Sequence, residues 1–179
     1  MSKKVLVIST SPRKGGNSDT LADAFVRGAQ EAGNDVEKVT LHDKTIGFCR
    51  GCLACQSTQR CVIHDDADFI ARKMLTADVL VFATPIYYYG MCGQMKTMLD
   101  RANPLFPADY QFRDIYLLAA AAEEDEHTVA GAVTGLQGWI DCFEKARLAG
   151  TVFAGGVTSV GEIQGHPALQ KAYEMGRNL

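Results

Sequence analysis

The stretch VLVISTSPRKGGNSDTLADAFVRGAQEAG, residues 5–33, decides the fold. Residues 5–8 form a continuous apolar run closed by turn residues, the pattern of a strand buried on both faces. A polar loop follows over 9–17, and apolar residues then return at Leu21, Ala22, Phe25, Val26 and Ala29. That spacing is helical, with Asn17 or Ser18 as the expected N-cap and Gly33 just past the end. Strand, loop and helix in this order open an α/β fold with a parallel sheet.

The rest of the chain repeats the unit. Residues 35–41 read as a second strand, and Asp65 or Asp66 opens a short helix carrying Ile70 and Met74. A third strand spans 79–84, and a helix over 90–102 shows Met91, Met95, Met98 and Leu99 on one face. A fourth strand spans 115–121. Val129, Ala132, Val133, Leu136, Ile140 and Phe143 mark the next helix. The fifth strand covers 148–154, and Pro167 starts a closing helix that runs to Met175. Five strands alternating with helices predict one domain over 1–179, a flavodoxin-like three-layer α/β sandwich. Its parallel sheet has the order 2-1-3-4-5, with right-handed crossovers placing helices on both faces.

Composition narrows the function. With 47% hydrophobic residues and a net charge of −3, the 179-residue chain can bury a core and is not disordered. It has no basic stripe for a phosphate backbone, so nucleic acid is not an expected partner. No apolar run approaches the roughly 18 residues that cross a bilayer. The apolar run after Lys3 and Lys4 is too short for a signal peptide, so the expected location is cytoplasmic, with no membrane partner. Six cysteines in that compartment suggest metal ligands or redox thiols before disulfides.

In doubly wound sheets, ligands bind outside the carboxyl ends of the strands at the switch point. The first loop there, STSPRKGGNS, offers hydroxyls at Ser9, Thr10, Ser11 and Ser18, the amide of Asn17 and the guanidinium of Arg13. Free N–H groups at a helix start, with an arginine at the rim, suit a phosphate. The loop lacks both a Walker Gly-Lys-Ser/Thr and a dinucleotide GxGxxG, and a polar turn with a good N-cap would look similar. A second loop, TPIYYYGM at 84–91, combines Pro85, three tyrosines and Gly90, and offers aromatic walls for a flat ring. Together the two loops suggest a phosphorylated flat heterocycle such as FMN.

The runs SPRKGGNS, TPIYYYGMCGQMKTMLDR and VGEIQGHPALQKAYEMG resemble the NADPH-dependent FMN reductase family, most closely its iron–sulfur flavoprotein branch. The resemblance implies a flavodoxin-like fold, non-covalent FMN, NAD(P)H as donor, and a homodimer or homotetramer. By motif position Ser11, Arg13, Asn17 and Ser18 would hold the phosphate, while Pro85, Ile86, Tyr87, Tyr88 and Gly90 would line the isoalloxazine. Thr10 departs from the family's usual glycine. The implied activity passes electrons from NAD(P)H through FMN to a flavin, a quinone or another small acceptor. The flavin carries the chemistry, so no protein acid or base is assigned as catalytic. The alternative is a non-enzymatic electron carrier between redox proteins.

Cys49, Cys52, Cys55 and Cys61 form C-x2-C-x2-C-x5-C within a cysteine-rich loop at 47–64. The spacing admits a [4Fe–4S] cluster and resembles the compact motif of iron–sulfur flavoproteins. Thiols without metal stand ahead of the cluster, and zinc, which prefers separated pairs, stands behind both. Cys92 and Cys142, on expected helices, read as inert small hydrophobes, and the run 123–126 as a solvated helix start. Gly131, Gly135 and Gly138 share one helical stripe, open either to a subunit interface or to close packing on the sheet.

Overall fold

The computed structural model describes residues 2–179. The elements in chain order are β1 (Lys4–Ser9), α1 (Asn17–Glu31), β2 (Asp35–Thr40), α2 (Ala54–Thr58), α3 (Asp66–Thr76) and β3 (Val79–Tyr87). They continue with β4 (Gly90–Met91), α4 (Gly93–Arg101), β5 (Asp114–Ala120), α5 (Ala130–Ile140), β6 (Arg147–Ala154) and α6 (Pro167–Arg177). The five long strands are parallel in the order β2-β1-β3-β5-β6, which is the expected 2-1-3-4-5 path. The two-residue β4 lies off that path, antiparallel to the end of β3.

Alternation along each strand divides the core into two layers. Leu6, Ile8, Leu80, Phe82 and Leu117 face α3, α4 and α5, whose Ile70, Met95, Met98 and Leu136 are buried against them. Val5, Val7, Val79, Val81 and Leu118 face α1 and α6, where Leu21, Phe25 and Ala172 close the other layer. The α1–α6 crossing depends on two reciprocal glycines. A Cβ on Gly28 would overlap the backbone carbonyl of Tyr173, and one on Gly176 would overlap that of Phe25.

Four local expectations are corrected. The N-cap of α1 is Gly16, so Asn17 and Ser18 are its first helical residues rather than its caps. Gly16 is needed there because a Cβ would come within 2.6 Å of Ser11 Oγ, which is tied back to Arg13. The third strand continues to Tyr87 and folds back, so the next helix starts at Gly93 and not at Gly90. Two hydrogen bonds drive that change: the Cys92 backbone N–H donates to Thr84 Oγ1 at 3.2 Å, and the Cys92 thiol donates to the Thr10 carbonyl at 3.3 Å. Cys92 is therefore a buried tie between the first and second loops as well as a small hydrophobe. Phe143 and Cys142 lie beyond the end of α5, which stops at Ile140; Phe143 still packs in the core.

The glycine stripe of α5 also resolves. A Cβ on Gly131 would overlap the Tyr89 carbonyl, and one on Gly135 would come within 3.0 Å of the Met91 methyl. Two of the three glycines thus admit the chain's own β3–β4 hairpin, while Gly138 faces open space. The acidic run does start a helical segment: Asp125 accepts from the His127 N–H and caps a 3-10 turn ahead of α5.

Candidate functional site at the carboxyl ends of the strands

The loops after β1, β3 and β5 meet as the topology predicts, and a fourth joins them. Together they surround a hollow of about 250 Å³ lined by Arg13, Asn17, Ser18, Pro85, Ile86 and Tyr87, with Ala120 to Ala122, Val157 and Thr158 completing it. Six of the ten residues expected to hold a cofactor therefore border one cavity. Ser9, Ser11, Tyr88 and Gly90 do not.

Those four have other placements. Ser9 is 1% exposed, in register between Thr40 and Ala83, and sits beside the Asp19 carboxylate. Ser11 locks the turn: its Oγ donates to the Arg13 carbonyl at 2.9 Å and accepts from the Arg13 N–H at 3.1 Å. Gly90 pairs with Tyr87, and Tyr88 and Tyr89 form the two-residue turn between them. Both turn residues have positive φ, 50° and 62°. That is the geometry of a type I′ hairpin, in which Asn-Gly is the usual choice. Left-handed tyrosines cost roughly 1–2 kcal/mol each, and such strain gathers where surrounding structure fixes a functional loop. Here Gly131 of α5 provides that support.

The first loop is built from charge and backbone. Asn17 and Ser18 are buried in the first turn of α1, and both Asn17 Oδ1 and Ser18 Oγ lack a hydrogen-bond partner. Behind them Asp19 is buried. Burial alone would raise its pKa, but hydrogen bonds from Lys38 and Ser9 and the Lys38 ammonium at 2.7 Å hold it below the usual carboxylate range. The helix start therefore rests on a neutralised ion pair.

Sequence reasoning missed the loop after β6. Arg13 Nη1 donates to the Thr158 carbonyl at 2.9 Å, and Asn17 Nδ2 donates to the Ser159 carbonyl at 3.0 Å. Glu162 Oε2 accepts from the N–H groups of Thr158 and Ser159 at 2.6 and 2.8 Å, and closes that loop as a rigid cap. Thr10, the departure from the family pattern, has its own role: its Oγ1 donates to the Ala83 carbonyl at 2.9 Å and clips the first loop to β3.

The cysteine loop forms a second, separate hollow of about 60 Å³ at the C-terminal end of α4. All four cysteines line it. Cys55 is buried, Cys61 half-buried, and Cys49 and Cys52 are exposed on loop backbone. Three sulfurs already accept hydrogen bonds: Cys49 from the Gly51 N–H at 3.4 Å, Cys55 from Asn103 Nδ2 at 3.0 Å, and Cys61 from the Ile63 N–H at 3.5 Å. Among the described residues no three potential ligands stand together as a metal-binding group. The donor set nonetheless fits an iron–sulfur cluster in kind, since four thiols face one small hollow and N–H donors point at sulfur.

At the base of this loop Arg101, 1% exposed, forks onto Asp65. Its Nη1 reaches Oδ2 at 2.7 Å and its Nη2 reaches Oδ1 at 2.8 Å. The same two nitrogens donate to the Gly47 and Ile63 carbonyls at 2.7 and 2.9 Å, which fixes both ends of the loop. Burial would raise the Asp65 pKa, but Arg101 and the Gly47 and Ala67 N–H groups hold it low. Asp65 also caps α3, as its sequence position suggested.

Known proteins align with this picture. An iron–sulfur flavoprotein of Archaeoglobus fulgidus is 39% identical over 101 residues, 56% of this chain and 46% of that protein. The iron–sulfur flavoprotein MJ1083 of Methanocaldococcus jannaschii is 38% identical over 102 residues, 57% of this chain and 53% of that protein. The matches thus span about half the length of these curated relatives. The fold is shared with an azoreductase from Bacillus anthracis, whose crystal structure superposes with a TM-score of 0.75 at 19% identity over the full length of both chains. The family model for NADPH-dependent FMN reductases matches residues 3–137, from β1 into α5, and so takes in both loops of the hollow and the cysteine loop. By that match the chain belongs to the NADPH-dependent FMN reductase family.

Proposed function

We propose that this protein is an FMN-dependent oxidoreductase that passes electrons from NAD(P)H to a small acceptor such as a flavin or a quinone. The observation that carries this reading is the buried, unpartnered Ser18 hydroxyl at a helix N-terminus bordering the hollow. A buried hydroxyl without a partner costs about 1–3 kcal/mol, and an incoming phosphate relieves that cost at Ser18. The N–H groups and positive end of α1 add to the same anion site. Ile86, Tyr87 and the small side chains of 120–122 leave a flat slot beside it. Bound FMN supplies hydride and electron transfer at its ring. The protein holds the phosphate, keeps the slot open and fixes the hairpin that forms its wall.

Ser18→Ala tests this with two readouts of opposite sign. Loss of the orphan hydroxyl should stabilise the flavin-free protein by about 1 kcal/mol. It should also weaken FMN about tenfold or more, as expected for a lost hydrogen bond to a charged group, and leave riboflavin unchanged. Equal effects on both flavins would place the phosphate elsewhere. Gly131→Ala probes the wall: the Cβ pushes on the Tyr89 carbonyl, so FMN affinity should fall about tenfold while the α5 sequence gains helix propensity. Fluorescence titration of the flavin-free protein reads both variants.

A second reading, an electron carrier between redox proteins, draws support from the four-cysteine hollow and the names of the relatives. Anaerobic NAD(P)H oxidation with a quinone or an azo dye separates the two, because a carrier turns over almost none. Exposed Tyr87, Tyr88 and Tyr89 beside the slot support a homodimer or homotetramer, and six free cysteines suit a reducing cytoplasm.

A further inference from the structure

Arg101 is the largest fully buried side chain, and its bonds account for only part of it. Nη1 and Nη2 are taken by Asp65, Gly47 and Ile63, whereas Nε, equally buried, has no partner. The side chain borders the cysteine hollow, and the Cys61 thiol is its neighbour there. An orphaned cationic N–H at a wall of cysteine sulfurs is costly unless one of them accepts from it. The geometry also fits a positioning role, since the fork that occupies the other two nitrogens pins the loop ends at Gly47 and Ile63.

We infer that Arg101 is the fixed positive charge of the cysteine hollow, its Nε–H donating to the Cys61 sulfur, whether that sulfur is a thiol or a cluster ligand. This rests on Arg101 and Cys61 bordering the same hollow and deepens the cluster reading without depending on it alone. Hydrogen bonds to cluster sulfurs are one of the means by which a protein tunes such a centre. Arg50 also lines the hollow but is exposed, so the two arginines separate cleanly.

Iron and sulfide assays after anaerobic reconstitution come first. If the chain takes up a cluster, protein labelled with nitrogen-15 only in arginine is reduced to the paramagnetic state and measured by pulsed electron spin resonance. A nitrogen coupling that survives Arg50→Lys and disappears in Arg101→Lys is the expected result. A loaded cluster without that coupling, or with one that Arg50→Lys abolishes, overturns the inference while the cluster reading stands. If no iron and sulfide are retained, the cluster reading fails and the bond is sought in the reduced, metal-free chain by nuclear magnetic resonance. There the Arg101 Nε–H should exchange about tenfold more slowly than that of Arg50 and shift on Cys61→Ser but not on Cys142→Ser. An Nε–H indifferent to Cys61→Ser overturns the inference as well.

Discussion

Replacing Gly28 with alanine will destabilise the protein by about 2–3 kcal/mol, even though alanine is the better helix former. Two effects compete. Alanine gains about 0.8–1.0 kcal/mol of helix propensity over glycine. Against that, its Cβ overlaps the Tyr173 carbonyl and presses on the Arg177 backbone nitrogen, and backbone atoms cannot rotate away. The whole of α6 must retreat from α1, which opens the layer around Phe25 and Ala172. For a chain of this size the thermal midpoint should drop by about 5–10 °C. Gly138→Ala is the matched control. It also sits in a helix, but nothing lies within 4 Å of its new methyl, so it should stabilise by up to about 1 kcal/mol. Calorimetry on both variants checks the pair; equal shifts would mean that α6 slides freely over α1 and that the close approach has no consequence.

Asp65→Asn should cost about 3 kcal/mol, because it leaves the Arg101 cation buried without its counter-ion. Asparagine can still cap α3, so the loss isolates the charge pair from the cap. Adding Arg101→Met should recover a large part of the loss, since a buried pair replaced by apolar groups is often nearly neutral. Urea unfolding of the single and double variants measures this, and a double variant no more stable than the single would refute the pairing account. The pH dependence follows with its sign. The Asp65 pKa is depressed in the folded state, so its stabilisation is present above the unfolded value of about 3.9. It is lost as pH falls toward that value and on through the folded one. The wild-type protein should therefore lose more stability than Asp65→Asn between neutral pH and the acid limb.

Much of this was legible because strong periodic signals carry fold. The apolar runs at 5–8 and 79–84 read as strands buried on both faces, and the sheet order followed from their alternation with helices. The hairpin at 86–91 was not legible, since Tyr88-Tyr89 lacks the Asn-Gly signature and only Gly131, far along the chain, makes the turn acceptable. Six of the residues expected at a cofactor border the hollow, because the polar first loop and the family motif after the third strand both lie at the carboxyl ends of the strands. Thr158 and Ser159 escaped because they act through carbonyl and N–H groups, which leave no trace in residue type. Arg101 escaped for the opposite reason. A lone arginine at the end of an amphipathic helix reads as solvated until the fold supplies Asp65 from another segment.

Helix α4 runs from the tie between the first two loops to the cysteine hollow. One end follows Cys92, bonded to Thr10 and Thr84, and the other ends on Arg101, clamped to Gly47, Ile63 and Asp65. From Gly93 to Arg101 the rise is about 12 Å, and each residue advances the helix by about 100°. Inserting a single residue would thus swing the guanidinium away from the cysteines as well as moving it further off. The surrounding loops can lengthen or shorten without that penalty. The interval between the Cys92 tie and the sulfur hollow is a matter of helical phase, counted in whole residues.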